Sequence, residues 1–502
     1  MKQKINRIPS ELSIAVILCV LFFAGMAWIQ FASPDMPDND GFYHIKLAYL
    51  MRTEGLKPAF TWLPQSILNE NEFYDHHFLF HVALIPFTFG DLRLGAKWAA
   101  VTFAALAFLA IWFLFHRQRV PYSWLWALGL LGVSEAFLYR MSITRAQSLS
   151  LAMLALGFLW LLERKYKHLA ILAFLYVWMY DAFPLLVALA VLYVLAVLLI
   201  ERRLEYQPLL FVTAGILLGM LVNPYFPDNI VFSARHMLPK LTDPTSVRVG
   251  NEWYPYETAQ LLGNSLPALV AFAGGVFALG LSGRKMDVRT AFALLVSLMF
   301  GLMLFQARRF VEYFPPFALM FAAFAWVPLL MDVPGTQLIR PITLPSTFLQ
   351  TKLPFSVLTL MVCLSLFRTL PVARARMDDL KPYDLYAGSS RWLAQNTKEG
   401  ELVFQTDWDD FPRLFFYNTH NTYLIGLDPT YMQMYDQDLY DLWVPLVRGE
   451  VNQPSQFIAN VFHAKYVHTD LNHKAFIRKA EQDPYMTEVY RDPQNVIFQV
   501  NR

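Results

Sequence analysis

LSIAVILCVLFFAGMAWIQFASPDMPDNDGFY, residues 12 to 43, decides how the rest of the chain is read. The uncharged run from Leu12 to Phe31 is 20 residues long, about what a helix needs to cross the hydrocarbon core. It exceeds a signal-peptide core, and no small-residue cleavage site follows it. The basic leader Lys2, Lys4 and Arg7 predicts an uncleaved first helix with its N-terminus in the cytoplasm. What leaves the membrane next is acidic: Asp35, Asp38 and Asp40 follow within ten residues.

The whole chain agrees with that first helix. Of 502 residues, 56% are apolar and 16% charged, against roughly 25% charged in a soluble domain. Disorder is excluded by the same composition. Aromatics at 16% suit a protein that meets lipid and its interfaces. A net charge of +2 gives no sign of a nucleic-acid partner. Cys19 and Cys363 both sit in apolar runs and indicate no disulfide framework.

Further spans are expected near 92–115, 121–139, 146–162, 168–181, 182–200, 208–222, 261–281, 290–306, 310–331 and 353–369. With the first helix this predicts a polytopic α-helical membrane protein of about 11 spans. Basic clusters at Arg117/Arg119, Arg164/Lys165/Lys167, Arg202/Arg203 and Arg284/Lys285 fall on one side, as the positive-inside rule requires. Long loops near 32–91 and 223–260 fall on the other. The stretch 168–200, broken by Asp181 and Pro184, reads as a hairpin or as one long helix. An odd number of spans places residues 370–502 outside. Their frequent Asp residues and short apolar runs, such as Glu401–Phe404 and Ala464–His468, predict a soluble extracytoplasmic α/β domain. The domain boundary is thus expected between 369 and 370, in an integral membrane protein of a bacterial inner membrane.

Chemistry is expected in the loops, because long loops in compact proteins tend to be functional. Asp38 and Asp40 offer oxygen donors suited to Mg²⁺ or Mn²⁺; alternatively Asp38 caps a helix beginning near Gly41. Asp75, His76, His77 and His81 form a second polar group. Its ordinary reading is interfacial histidines bonded to loop backbone. Glu252 precedes Trp253 and Tyr254, which also serve as an aromatic anchor. Arg308 and Arg309 lie between two apolar runs, with Arg140 and Arg145 at another helix end. Guanidinium groups there match phosphate oxygens in plane and charge, or else snorkel to lipid headgroups. Acids in one loop and arginines at the helix ends fit transfer from a lipid phosphate carrier. Its leaving group needs charge neutralisation, and its acceptor needs a carboxylate to take or polarise a proton.

Asn39-Asp40-Gly41-Phe42-Tyr43 resembles the first-loop motif of the oligosaccharyltransferase catalytic subunit, a GT-C superfamily glycosyltransferase. Ser246 to Pro255, ending in Glu252-Trp253-Tyr254-Pro255, resembles that family's fifth-loop motif. Arg309-Phe310 with Tyr313 and Pro316 resembles its late-helix Arg-Phe segment, and Asp407-Trp408-Asp409-Asp410-Phe411 sits where it carries Trp-Trp-Asp-Tyr-Gly. The resemblance implies a GT-C fold with Asp40 and Glu252 as catalytic carboxylates. Asp40 would ligate the cation and polarise the acceptor, and Glu252 would contact the cation or the acceptor. Arg309, with Arg308, would hold the lipid phosphate, and Trp408 and Asp409 would lie near the acceptor. The family's second Asp motif is replaced by Tyr139 to Arg145, which holds no acid; either Asp75 or His76 would then complete the cation's ligands with Asp38 and Asp40, or the enzyme would work without a metal. The implied partners are a lipid-linked sugar donor, membrane lipids, and a protein, lipid or glycan acceptor. The competing reading is a non-catalytic protein that binds or transports lipid-linked glycan.

Overall fold

The computed structural model describes residues 8–242, 250–331 and 347–501. The basic leader at 2–7 and the start of the fifth-loop motif at 246–249 lie outside the described residues. The chain groups into two compact units. One comprises Met1–Pro34, Lys97–Val222 and Asn251–Leu380; the other comprises Asp35–Ala96, Asn223–Gly250 and Lys381–Arg502. Both long loops therefore contribute to the unit that contains the C-terminal residues.

The first unit is helical. Among the described residues, six helices are long and apolar enough to cross a membrane: Glu11–Gln30, Leu92–Arg117, Pro184–Glu201, Thr258–Ser282, Val288–Gln306 and Lys352–Ala375. Shorter apolar helices accompany them at Gln147–Leu162, Tyr166–Met179, Gln207–Leu221 and Phe314–Ala325. The chain is an integral membrane protein. At 168–200 the helix breaks, with Met179 ending one helix and Pro184 opening the next. Proline lacks an N–H and so belongs in a first turn.

Two expected spans are broken. The stretch 121–139 divides into the helix Ser123–Leu128, a 3₁₀ turn Gly129–Leu131 and the helix Glu135–Met141. Ser134 is extended, and its hydroxyl caps the last of these by accepting from the Phe137 amide. Gly132 is needed because a Cβ there would lie 2.4 Å from the Ser365 hydroxyl. Likewise 310–331 opens on a 3₁₀ turn, Arg308–Glu312, before the helix Phe314–Ala325 begins on prolines.

Packing explains two further features. The Gln207–Leu221 helix meets the Tyr166–Met179 helix through Gly215 and Gly219, a small-xxx-small pair. A Cβ on Gly215 would lie 2.2 Å from the Ala170 carbonyl. In the Thr258–Ser282 helix, Pro267 removes one helical bond and Ser265 leaves helical geometry. The exposed carbonyls find other donors: Arg368 reaches Gly263 at 3.4 Å and the Ser134 hydroxyl reaches Asn264 at 2.8 Å.

The second unit contains a five-stranded sheet ordered β2-β1-β3-β5-β4. Its strands are β1 (Leu402–Gln405), β2 (Thr422–Tyr423), β3 (Tyr466–Asp470), β4 (Met486–Arg491) and β5 (Asn495–Val500). β1 runs parallel to β2 and β3, pairing Phe404 with Val467, and β5 is antiparallel to β3 and β4. Phe404, Val467, Val496 and Phe498 are buried with Leu446 and Phe476 from the covering helices and with Phe462 just beyond one of them. The 35–96 segment supplies the helices Asp40–Glu54 and Phe78–Leu84. A backbone bond from Tyr423 to Trp62 at 2.8 Å ties it to β2, and one from Ile67 to Tyr431 at 3.1 Å ties it to the helix Pro429–Tyr435.

Candidate functional site

In the helical unit, three arginines converge on one carboxylate. Glu252 stands on a single 3₁₀ turn, Asn251–Trp253. Its Oε2 accepts from Arg140 at 2.8 Å and from Arg145 at 3.1 Å. Arg309 lies 3.8 Å from its other oxygen. Burial alone would raise the Glu252 carboxyl, but Arg140, Arg145 and Arg309 outweigh it and hold the group well below the usual carboxylate range. Arg140 has a second anchor. Its Nε donates to Glu312 at 2.7 Å, and a terminal nitrogen also bonds that carboxylate. Glu312 is only 1% exposed, so breaking this pair would be costly. Arg309 donates to the Tyr180 hydroxyl at 3.0 Å and lies 4.1 Å from the Trp253 ring centre. Arg308 is held differently: its Nε donates to the Pro255 carbonyl at 3.1 Å and its guanidinium faces Tyr256.

The local sequence explains this geometry. Arg140 sits in the last turn of a helix capped at Ser134, while Arg309 and Glu312 ride a short turn that prolines close. Each charged group is thus at a helix end, where backbone polar groups are already unpaired.

In the second unit the acids gather around Asn39. Asp38 has a left-handed backbone, φ 74°, which costs a non-glycine residue some strain. Its Oδ1 accepts from the amides of Asn39 at 2.6 Å and Asp40 at 3.3 Å. Asp40 then opens the helix, where a carboxylate is favoured by the helix dipole. Asp38 therefore forms a turn just before the helix and does not cap it: the N-cap position is Asn39, which makes no side-chain cap bond. Asn39 donates to Asp409 Oδ2 at 2.6 Å and accepts from Arg413 at 2.6 Å. Arg413 is itself buried and faces the Phe42 ring. Burial, then the charges of Asp38, Asp40 and Asp407, push the Asp409 carboxyl up to about 7. Trp408 is partly buried and packs against the sheet's core cluster.

Asp75 takes another course. Its two oxygens bond the His77 amide at 3.0 Å and His81 Nδ1 at 2.7 Å. His81 Nε2 in turn lies 2.8 Å from His44 Nδ1. Asp75, His81 and His44 are all buried. His76 stacks on Phe232. Among the described residues, no group of three or more His, Cys, Asp or Glu side chains is placed to hold a metal ion. The expected ligand set of Asp38, Asp40, Asp75 and His76 is thus not assembled, for two physical reasons. Asp75 is committed to a buried histidine, and one Asp38 oxygen is committed to its own turn. The described residues do not fit a cation site with three His, Cys, Asp or Glu donors.

The structure brings together Arg140, Arg145, Arg309 and Glu252 on one side of the prediction, and Asp38, Asp40 and Asp409 on the other. It keeps Arg308 on backbone partners and Asp75 and His76 in an aromatic and histidine cluster. Sequence reasoning missed Glu312, Asn39 and Arg413. Glu312 had a readable signal, a carboxylate four residues from Arg308 between two apolar runs. Arg413 had none, since an arginine in a short helix is ordinarily exposed.

No family model matches the chain, and no curated protein matches it. Solved structures do. The Archaeoglobus fulgidus oligosaccharyltransferase AglB, in complex with an inhibitory peptide and a dolichol-phosphate, superposes with TM-score 0.65 at 14% identity over 96% of this chain and 73% of that one. The same archaeal enzyme has been solved with Zn and sulfate. ArnT from Cupriavidus metallidurans, bound to undecaprenyl phosphate, matches over 98% of both chains with TM-score 0.53 at 14% identity. The mycobacterial arabinofuranosyltransferase AftD matches over 96% of this chain and 41% of its own, with TM-score 0.56 at 14% identity. All are GT-C glycosyltransferases, and this chain has their fold.

Proposed function

We propose that the protein is a membrane glycosyltransferase, which takes a sugar or oligosaccharide from a polyprenyl phosphate or diphosphate carrier and passes it to a protein, lipid or glycan acceptor. The observation that carries this reading is the convergence of Arg140, Arg145 and Arg309 on one carboxylate. Three guanidinium groups around one small anion are what a departing phosphate needs, since it leaves as a stable anion and requires charge neutralisation more than protonation. The carriers named with two neighbours, dolichol-phosphate and undecaprenyl phosphate, support the same ligand class.

In this reading Asp40 takes or polarises the acceptor's proton. Its neighbours Asp38 and Asp409 add negative charge, and Asn39 and Arg413 hold Asp409 in place. Trp408 and Asp409 belong to the acceptor's surroundings. The reaction takes place at the outer face of a bacterial inner membrane, with the N-terminus cytoplasmic and residues 370–502 extracytoplasmic.

The test is consumption of a polyprenyl-phosphate-linked sugar by the purified protein in lipid nanodiscs, followed by mass spectrometry of the carrier. Wild type should release the carrier phosphate in the presence of acceptor extract, and Asp40→Asn should lose at least about a hundredfold in rate. Binding of the carrier without any sugar loss, in wild type and variant alike, would establish a non-catalytic lipid-glycan binder instead.

A further inference from the structure

We propose that Glu252 occupies the seat of a phosphate group, and that a phosphate-bearing ligand enters by displacing this carboxylate from Arg140, Arg145 and Arg309. The inference rests on reading the arginine cluster as the carrier-phosphate site, and it changes the role expected for Glu252. A residue that contacts a cation should leave its carboxylate oxygens open to ligate it. Here both oxygens of Glu252 face guanidinium groups, at 2.8, 3.1 and 3.8 Å.

The arrangement distinguishes the lining from its occupant. Arg140 is held by Glu312 and Arg309 by the Tyr180 hydroxyl, so both keep a partner when Glu252 leaves. Glu252 is anchored only on a three-residue turn. Its side chain is also the most exposed of the five charged groups, at 24% against 12%, 18% and 19% for the arginines and 1% for Glu312. Charge points the same way. A phosphate dianion in place of the Glu252 carboxylate brings one more negative charge to three guanidinium groups. Phosphate also offers more acceptor oxygens than a carboxylate does, so the planar donors of Arg140 and Arg145 can each take two. Glu252 therefore acts as an internal competitor. It keeps the arginines paired while the seat is empty of ligand, and it sets the affinity that a ligand must exceed.

The experiment measures equilibrium binding of undecaprenyl phosphate to the full-length protein in nanodiscs. Glu252→Gln keeps the side chain's size and removes the competing charge, and Glu252→Ala removes both. Both should bind more tightly than wild type, by on the order of tenfold, and Arg309→Gln should bind more weakly. Thermal unfolding of each variant confirms that it is folded. Parallel titrations with inorganic phosphate and with phosphatidylglycerol identify the source. A gain seen with all three probes assigns the seat to the phosphate group itself, and a gain confined to undecaprenyl phosphate assigns it to the carrier. If the Glu252 variants bind no more tightly than wild type while Arg309→Gln still loses affinity, the competitor role is wrong and the phosphate site stands. If Arg309→Gln also binds like wild type, both readings fall.

Discussion

Arg140 lies 2.8 Å from Glu252, a residue 112 positions further along the chain, and its opposite edge holds the buried Glu312. One guanidinium thus joins the end of the Glu135–Met141 helix to two separate turns. Removing it leaves Glu312 as an uncompensated buried charge. Arg140→Met should destabilise the protein by about 3–5 kcal/mol, read as a lower unfolding temperature in detergent. Adding Glu312→Leu should restore most of the loss. If the double variant is no more stable than the single one, the charge pair is not the cause.

The acid group around Asn39 predicts a pH effect. Asp409 has a folded-state pKa of about 7, above its unfolded value of roughly 3.9. The folded state therefore binds more protons across that interval, and stability from this group is lost as pH rises from about 4 to 7. His468 runs the other way, since burial lowers it to about 4 and stability from it grows as pH rises towards roughly 6.5. The Asp409 contribution is read as the difference between wild type and Asp409→Asn. That difference should favour the variant increasingly from pH 4 to pH 7.5. A constant difference across the range would contradict the assignment.

The Asp75, His81 and His44 chain is a fully buried polar series. His81 bonds the Asp75 acceptor through Nδ1 and His44 Nδ1 through Nε2, so the three side chains form one hydrogen-bonded series. Asp75→Asn offers an amide in place of that acceptor and breaks the series. The expected cost is about 1–3 kcal/mol, with faster amide exchange in the Phe78–Leu84 helix. Unchanged exchange there would show that the chain does not hold this helix.

Gly215 and Gly219 let two helix backbones approach closely. Gly215→Val should destabilise by about 1–3 kcal/mol through overpacking, whereas Gly263→Ala, where a Cβ would meet nothing within 4 Å, should be nearly neutral. Equal losses of unfolding temperature in the two variants would refute the close-approach account.

Much of the fold was legible because lipid imposes a simple rule. A span must be apolar for about 20 residues, and runs such as Leu92–Arg117 and Val288–Gln306 show it directly. The strands at 402–405 and 466–470 were legible as short apolar runs between turn residues. The break at 129–134 was not, nor was the extension of the 308–309 interruption into a turn that reaches Glu312. They depend on what the backbone meets elsewhere, as Gly132 meets Ser365. That the arginines suit an anion was legible from their chemistry alone, but the carboxylate they share was not, because 112 residues separate Arg140 from Glu252.

Composition and order along the chain determined that this is a membrane protein, where its acids and arginines fall, and which chemistries they suit. Hydropathy and charge are properties of residues and need no partner to be read. Only the tertiary structure decided what those groups do to one another. It seated Glu252 among three arginines, turned Asp75 onto His81 and bound Asp409 to Asn39. Electrostatic roles are set by distance and burial, and residues far apart in sequence acquire both only when the chain has folded.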